Sequence, residues 1–527
     1  MRPINRALLS LSKRAERASN AQLVASFVDV GSLLASITNN DHQIIYGRRG
    51  TGKTHVLSKL YSDAISVGDI PVLIDLRTLG STGGLYADPS LPLSERATRL
   101  LMDLLWALHD GVMEHAIDDD QIDLSALQPR LDAFAASISE VRVIGSAVEV
   151  QGASHNKTQQ ASVALGWEGN GVVARVIDGS SESRGEAGAL SITGELRHRL
   201  NFGSVSTNIR EMCVALGDRS IWLLLDEWSE IPLDLQPYLA DLLRRTVFPA
   251  QRLVAKIAAI EQRTNFRIQE DAGSYIGIEI GADAAASLTL DDFMVFDNNA
   301  AAATSFFRSL LWKHVVSSVP ENSPLRNISE TEFASEAFTQ VNSLQELVRA
   351  AEGVPRDAIN IISLAAQAAV ERAISVSDVR GAAKQWYQQS KEGAVSSRER
   401  ALHLLQWIRE NVIGARRARA FLLPSGIKSE LIDYLYDSRV LHVIKKGVSS
   451  NDTPGVRYNV YAIDYGCYVD LISTVNAPQG LFQAEVGGQE AAGFVEVPVT
   501  DYRSIRRAIL NLSEFEEAHP PGSPVMV

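Results

Sequence analysis

Residues Gly47-Arg48-Arg49-Gly50-Thr51-Gly52-Lys53-Thr54 fit the phosphate-binding pattern G-x-x-x-x-G-K-[ST] without a departure. Working outward, Gln43-Ile44-Ile45-Tyr46 is a short apolar run of strand type, and His55-Val56-Leu57-Ser58-Lys59-Leu60-Tyr61 carries apolar residues at helical spacing. Strand, glycine turn and helix is the context in which the motif works. Backbone N–H groups of such a turn point at phosphate oxygens, and the helix N-terminus adds partial positive charge. The spacing therefore predicts that Gly47, Arg48, Arg49, Gly50, Thr51, Gly52, Lys53, Thr54 and His55 surround the phosphates of ATP or GTP. Lys53 would reach the β- and γ-phosphates, and the Thr54 hydroxyl would hold magnesium.

A partner motif stands further along. Ile221-Trp222-Leu223-Leu224-Leu225-Asp226-Glu227 is an apolar run closed by two carboxylates, as expected of a buried central strand emerging at its C-terminal edge. In that reading Asp226 holds the magnesium through water and Glu227 polarises the attacking water, so hydrolysis is expected as well as binding.

At 527 residues the chain is too long for one core, and two to four domains are expected. Its 46% apolar and 21% charged content is that of an ordinary soluble globular protein. Cys213 and Cys467 lie far apart without histidines at ligand spacing, which excludes a zinc finger or disulfide framework and fits a reducing cytosol. No uninterrupted apolar run approaches the roughly 18 residues of a membrane span, and the N-terminal arginines precede no hydrophobic signal core. A cytoplasmic protein without membrane contact is the expectation. The net charge of −13 means that nucleic-acid contact requires local basic patches. One lies between Ser396 and Lys446, where ten basic residues face five acidic ones.

The pattern along the chain predicts helices over 1–40, a nucleotide core over 41–298, a helical lid over 299–392, a further module over 396–470 and an acidic tail over 471–527. Within the core, strands are expected at 70–76, 221–226, 253–260 and 276–280, alternating with helices, which implies a parallel sheet covered on both faces. Residues from about 130 to 200 break this alternation. Strand-like Val141–Ile144 and Val172–Ile177 stand among Gly, Ser, Asn and Thr, as in a β-containing insertion.

The order phosphate loop, Asp-Glu strand, next strand, helical lid resembles the AAA+ arrangement. Gly353-Val354-Pro355-Arg356-Asp357 resembles the second-sensor motif of its initiator and loader branch, the origin-recognition and Cdc6-like ATPases, in a divergent bacterial form. The resemblance spans roughly residues 20 to 470 on three short motifs. It implies an α/β parallel-sheet P-loop core, an all-helical lid and a C-terminal winged helix. It also implies ATP and Mg2+ as cofactors, a homo-oligomer or a partner protein, and Arg356 reaching the γ-phosphate from the lid. A cation there is physically apt, because nucleotide between core and lid concentrates negative charge. The insertion is longer than the family core needs. At the family's polar first sensor this chain has Glu261-Gln262-Arg263-Thr264, where Gln262 and Thr264 are both open. Arg263, Arg267, Arg244 and Arg245 are alternative arginine fingers towards a neighbouring subunit.

The implied winged helix can be laid onto 396–470. Arg400–Val412 would be its first helix, Ala415–Leu423 a short second one and Lys428–Ser438 the recognition helix. Val440–Ile444 and Tyr458–Tyr461 would form the hairpin. Arg416, Arg417, Arg419, Lys445, Lys446 and Arg457 then fall where duplex DNA phosphates are contacted. Glu430, Asp433 and Asp437 on the recognition helix argue against strong base readout. A second reading keeps the ATPase core but makes it a signalling or defence switch acting on a protein partner without DNA. The absence of L-S-G-G-Q disfavours an ABC- or RecF-like ATPase.

Overall fold

The computed structural model describes the chain outside residues 13–17, 30, 32, 80–90, 139–140, 150–160, 169–170, 179–189, 199, 270–272, 292–298, 414–419, 450–454, 473–507 and 521–527. For the strands between 141 and 198, and for 285–287 and 470–472, it describes the backbone course.

Three short helices open the chain: α1 (Pro3–Leu9), α2 (Asn20–Ser26) and α3 (Leu33–Ile37). A reciprocal Ser19–Gln22 capping box starts α2. Then come β1 (Gln43–Tyr46), α4 (Lys53–Ser66), β2 (Ile70–Asp75), α5 (Leu93–Asp118) and α6 (Leu124–Ile138). The insertion supplies β3 (Val141–Glu149), β4 (Ala161–Glu168), β5 (Gly171–Asp178) and β6 (Leu190–His198), an antiparallel sheet of order β3-β6-β5-β4. The core resumes with α7 (Phe202–Ala215), β7 (Ile221–Asp226), α8 (Gln236–Thr246), β8 (Leu253–Ala259), β9 (Arg267–Gln269), β10 (Tyr275–Gly277) and β11 (Ala285–Thr289).

The central sheet runs β11-β1-β8-β7-β2 and is parallel throughout. Helix α4 and the N-terminal helices cover one face, and α5, α6, α7 and α8 cover the other. The long α5 shows why: Leu100, Leu101, Leu104, Leu105, Leu108 and Val112 fall on one helical stripe and are all buried. Lys256 is the exception in fully buried β8. Its Nζ has four acceptors within reach, Asn39 O (2.9 Å), Asn39 Oδ1 (3.0 Å), Asp41 O (2.8 Å) and Gln43 Oε1 (2.5 Å), among which its N–H groups are shared, so a buried lysine pins the entry to β1.

The fifth core strand differs from expectation. Tyr275–Gly277 pairs antiparallel with β9 in a separate ribbon, and β11 takes the place beside β1. Gly277 at φ +121° would set a Cβ 1.9 Å from the Phe266 carbonyl oxygen, so the 276–280 run is a tight ribbon end rather than a straight strand. The actual strand, Ala-Ala-Ser-Leu-Thr, lacks the β-branched run that marks buried strands.

The next region is all helical: α9 (Ala300–Ser318), α10 (Glu330–Ala337), α11 (Val341–Ala351), α12 (Pro355–Ala369) and α13 (Val376–Tyr387). It shares one apolar cluster with α1 and α4. Helix α1 is tied to it by Asn5 Nδ2, which donates to the carbonyls of Val370 (3.1 Å) and Arg372 (3.0 Å).

The C-terminal module holds α14 (Glu399–Trp407), β12 (Ala420–Pro424), α15 (Glu430–Asp437), β13 (Leu441–Ser449), β14 (Arg457–Ile463), α16 (Tyr465–Ile472) and α17 (Leu512–Ala518). Its sheet is antiparallel with order β12-β14-β13. The expected second helix over 415–423 is replaced at 420–424 by strand β12. Strand alternation explains this: Phe421 and Leu423 enter one apolar cluster, Ala420 and Leu422 another. The tail also contributes structure. Leu422 exchanges backbone hydrogen bonds with Ala508 and Leu510, and Phe515 of α17 is fully buried. The helix start expected at 501–508 lies largely outside the described residues.

Candidate nucleotide-binding site

Strand β1 delivers the phosphate loop to the C-terminal edge of the sheet, next to β7 and β8. The loop is stitched there by Gly47 N–H to Ala259 O at 3.1 Å. Gly52 sits at φ 97°, ψ 21° and caps α4, a left-handed position that favours glycine. Gly50, at φ +88°, faces the lid: a Cβ there would lie 2.7 Å from Arg356 Cβ. Lys53 Nζ donates to the loop's own carbonyls, Gly47 O at 2.8 Å and Arg48 O at 3.2 Å. Burial depresses the Lys53 pKa, and the Arg356 charge adds to this, while Glu227, Asp226 and Asp291 oppose it. An anion arriving in the loop would relieve that cost.

Thr54 Oγ1 donates to Asp226 Oδ2 at 2.7 Å, joining the start of α4 to the end of β7. Burial raises the Asp226 pKa. Burial and the neighbouring Asp226 charge raise that of Glu227. Glu227 itself adopts left-handed backbone, φ 57° and ψ 39°. It is followed by Trp228, which is fully buried and stacked on Phe266 at 5.0 Å. A strained non-glycine residue held by packing is the pattern of a functional position.

Arg77 is a site residue that the motifs did not reveal. It lies 3.8 Å from Glu227 and 2.6 Å from Asp75. Parallel pairing of β2 with β7 sets Asp75 beside Asp226, so the residues following β2 face Glu227. That register is the signal that could have found it.

Above the loop is a cavity of about 560 Å³, within the size range of small-molecule sites. Arg49, Gly50, Thr51, Gly52, Lys53, Thr54, Arg77, Glu227 and Arg356 line it together with Phe27, Leu33, His55, Phe306 and His314, where the His55 ring meets those of Phe27 and His314. Arg356 enters from the first turn of α12, and its backbone N–H donates to Gly50 O at 3.1 Å. His314 is neutral at physiological pH, its pKa lowered to about 4 by burial. The cavity is thus lined both by the phosphate loop and by apolar and aromatic side chains.

Gln262 and Arg263 follow β8 in a single helical turn outside the cavity lining. Gln262 Oε1 is buried without a hydrogen-bond partner. Arg263 is 3.5 Å from Asp437 of the C-terminal module. Arg244 and Arg245 pair with Asp241, and Arg267 with Glu279.

Arg48 turns away from the cavity. Its N–H donates to Asp291 Oδ2 (3.1 Å) and its guanidinium to Asp291 Oδ1 (2.6 Å), the Glu352 carbonyl (2.8 Å) and His442 Nδ1. Asp291 and His442 were not legible as partners from any motif.

Of the basic residues expected at a DNA surface, Arg416, Arg417 and Arg419 lie outside the described residues. Lys445 and Arg457 are exposed on β13 and β14. Lys446, also on β13, is held by Glu261 at 2.6 Å. Helix α15 is docked inward: Asp437 approaches Arg49 (4.0 Å) and Arg263, and Leu431, Ile432, Leu435 and Tyr436 are buried. Among the described residues no group of three or more His, Cys, Asp or Glu side chains could hold a metal ion, and no helix is long and apolar enough to cross a membrane.

Sheet order, phosphate loop, acidic strand end and helical lid make an α/β P-loop core whose arrangement resembles the AAA+ class. Within that class the chain resembles the origin-recognition and Cdc6-like ATPases, and residues 10–63 match the ORC-CDC6-like family model. That segment carries α2, β1, the phosphate loop and most of α4. Two solved structures are similar. Cdc6p from Pyrobaculum aerophilum is 14% identical at a TM-score of 0.31, covering 88% of this chain and 96% of that one. The Aeropyrum pernix ORC1 protein in complex with DNA is 13% identical at a TM-score of 0.31, covering 89% and 96%. No curated protein matches the chain.

Proposed function

We propose that the chain binds and hydrolyses ATP with magnesium and couples its nucleotide state to duplex DNA through the C-terminal module. The observation that carries the ATPase reading is the Thr54–Asp226 hydrogen bond at 2.7 Å beside Lys53. A hydroxyl, a carboxylate and a lysine side by side support the reading, because magnesium and phosphate need that set of groups. The glycines agree with the reading, since Gly50 at φ +88° and Gly52 at φ +97° hold the left-handed backbone on which a tight phosphate-binding turn depends.

Each residue then has a defined task. Lys53 exchanges its two loop carbonyls for phosphate oxygens. Thr54 and Asp226 would hold magnesium, which when bound neutralises charge on the β- and γ-phosphates. Glu227 accepts a proton from the attacking water, and Arg77 keeps its carboxylate from swinging towards Asp226. Arg356 brings a cation from the lid to the phosphate loop. Gln262 is the first-sensor candidate, and Arg263 a candidate finger towards a neighbouring subunit in a homo-oligomer. Lys445, Lys446 and Arg457, with Arg416, Arg417 and Arg419, would contact DNA phosphates.

The test is binding of the Glu227→Gln chain to duplex DNA, with and without ATP, at two salt concentrations. ATP-enhanced, salt-sensitive binding supports the reading; no binding in any condition removes DNA from it. One observation favours the second reading, a switch acting on a protein partner. Helix α15, the expected recognition helix, has Asp437 turned towards Arg49 and Arg263 of the core.

A further inference from the structure

Arg48 stands in the phosphate loop, yet its side chain is bound by three different parts of the chain. Asp291, just after β11, accepts from Nε. The carbonyl of Glu352, the left-handed residue that ends α11, accepts from Nη2. His442 of β13 accepts from Nη1 through Nδ1, and the Tyr436 ring lies 5.8 Å from the guanidinium carbon. The guanidinium is buried, so every contact is a desolvated one.

The main chain of the same residue serves the nucleotide site. The Arg48 carbonyl accepts from Lys53 Nζ at 3.2 Å and from Thr51 Oγ1 at 2.8 Å. A shift of the Arg48 side chain therefore displaces the cradle that sets Lys53 and Thr51.

His442 is itself fixed. Because Nδ1 accepts from Arg48, the ring proton sits on Nε2, which donates to Asp464 Oδ2 at 3.3 Å. Lys391 Nζ bonds the same Asp464 oxygen at 2.5 Å. A second tie leaves the turn between α15 and β13. Arg439, in left-handed backbone at φ 60°, donates to Asp357, the neighbour of Arg356 on α12. Two residues three apart in the C-terminal module thus reach the phosphate loop through Arg48 and the first turn of α12 through Asp357.

We infer that His442 is a positioning residue for nucleotide binding, bracing the phosphate loop from the C-terminal module through Arg48. The inference rests on the ATP-binding reading and adds its regulation. Nucleotide affinity depends on the docking of this module, and bound nucleotide tightens that docking in return, because coupling between sites is reciprocal.

The experiment uses the full chain and a fluorescent ATP analogue with magnesium. His442→Leu keeps bulk but removes the acceptor for Arg48, and His442→Asn restores an acceptor oxygen near the Nδ1 position. The expected result is a loss of affinity of roughly tenfold in His442→Leu, in the range of inter-site couplings, with most of it recovered in His442→Asn. Unchanged affinity in a His442→Leu chain that melts like the parent overturns the inference and leaves the ATPase reading intact. Failure of the parent to bind the analogue overturns both. If His442→Leu does not fold, hydrogen exchange of the parent decides. Nucleotide should slow exchange in residues 441–444 and α15, and equal exchange with and without nucleotide overturns the brace.

Discussion

Thr54 Oγ1 donates to Asp226 Oδ2 at 2.7 Å, although the two residues are 172 positions apart. The contact spans the first turn of α4 and the last residue of β7, the two elements that a magnesium ion would bridge. Lys53 lies one residue before it, satisfied by carbonyls of its own loop. Lys53→Ala should therefore reduce ATP affinity by about two orders of magnitude, or ~3 kcal/mol, the scale of a charge-assisted contact. Asp226→Asn should keep weak ATP binding but lose its dependence on magnesium. Titration of each variant with and without magnesium checks both outcomes; unaltered magnesium dependence in Asp226→Asn would remove that carboxylate from the metal site.

Glu227 is the proposed base, and burial together with Asp226 raises its pKa. A base works only when deprotonated, so turnover should fall as pH drops through a value above that of an ordinary glutamate. The acid limb of the kcat profile should accordingly lie above the usual carboxylate range. Glu227→Gln should retain ATP and slow turnover by roughly 100-fold or more, as loss of a general base does. A profile that stays flat down to about pH 5, just above the ordinary glutamate range, would place the base elsewhere.

The sequence carried the phosphate loop and the Asp226-Glu227 strand end because each is a local pattern with its own chemistry. Gly353–Asp357 likewise pointed to Arg356, and the lid helix does begin at Pro355. What stayed hidden depends on pairing between distant segments. Arg77 meets Glu227 because β2 and β7 run in register, and no local spacing encodes that register. β11 was missed because small residues fill it, and β12 because Phe421-Leu422-Leu423 is too short to separate a strand from a helix by period. The Arg48–His442 contact joins residues 394 apart and belongs to no motif.

Gly50 offers a sharp test of the lid contact. A Cβ at this position would fall 2.7 Å from Arg356 Cβ and 3.2 Å from Val354 Cγ1, in backbone at φ +88°. Gly50→Ala should cost about 1–3 kcal/mol through strain and clash. It should also push α12 off the phosphate loop and weaken ATP binding, because Arg356 moves with that helix. Thermal melting and nucleotide titration read the two effects separately. A variant that melts as the parent and binds ATP equally would show that lid and loop do not need this close approach.

The hairpin of the C-terminal module makes the last prediction. Lys446 is paired with Glu261 at 2.6 Å, and Lys445, Lys446 and Arg457 are all exposed on the same hairpin. Both partners of the Lys446 pair are themselves partly exposed, so the pair is worth little in stability, about 0–1 kcal/mol. It nevertheless directs one cation of the hairpin at the core. Reversing Lys445 and Arg457 to Glu should spare ATP turnover and weaken duplex DNA binding. It should also lower the slope of log affinity against log salt by about one for each phosphate that is no longer neutralised. Glu261→Gln, by releasing Lys446, should raise both affinity and slope without touching a residue of the cavity. Equal DNA binding by the parent and the double reversal would take the hairpin out of the DNA surface, and the docked α15 would then favour a protein partner.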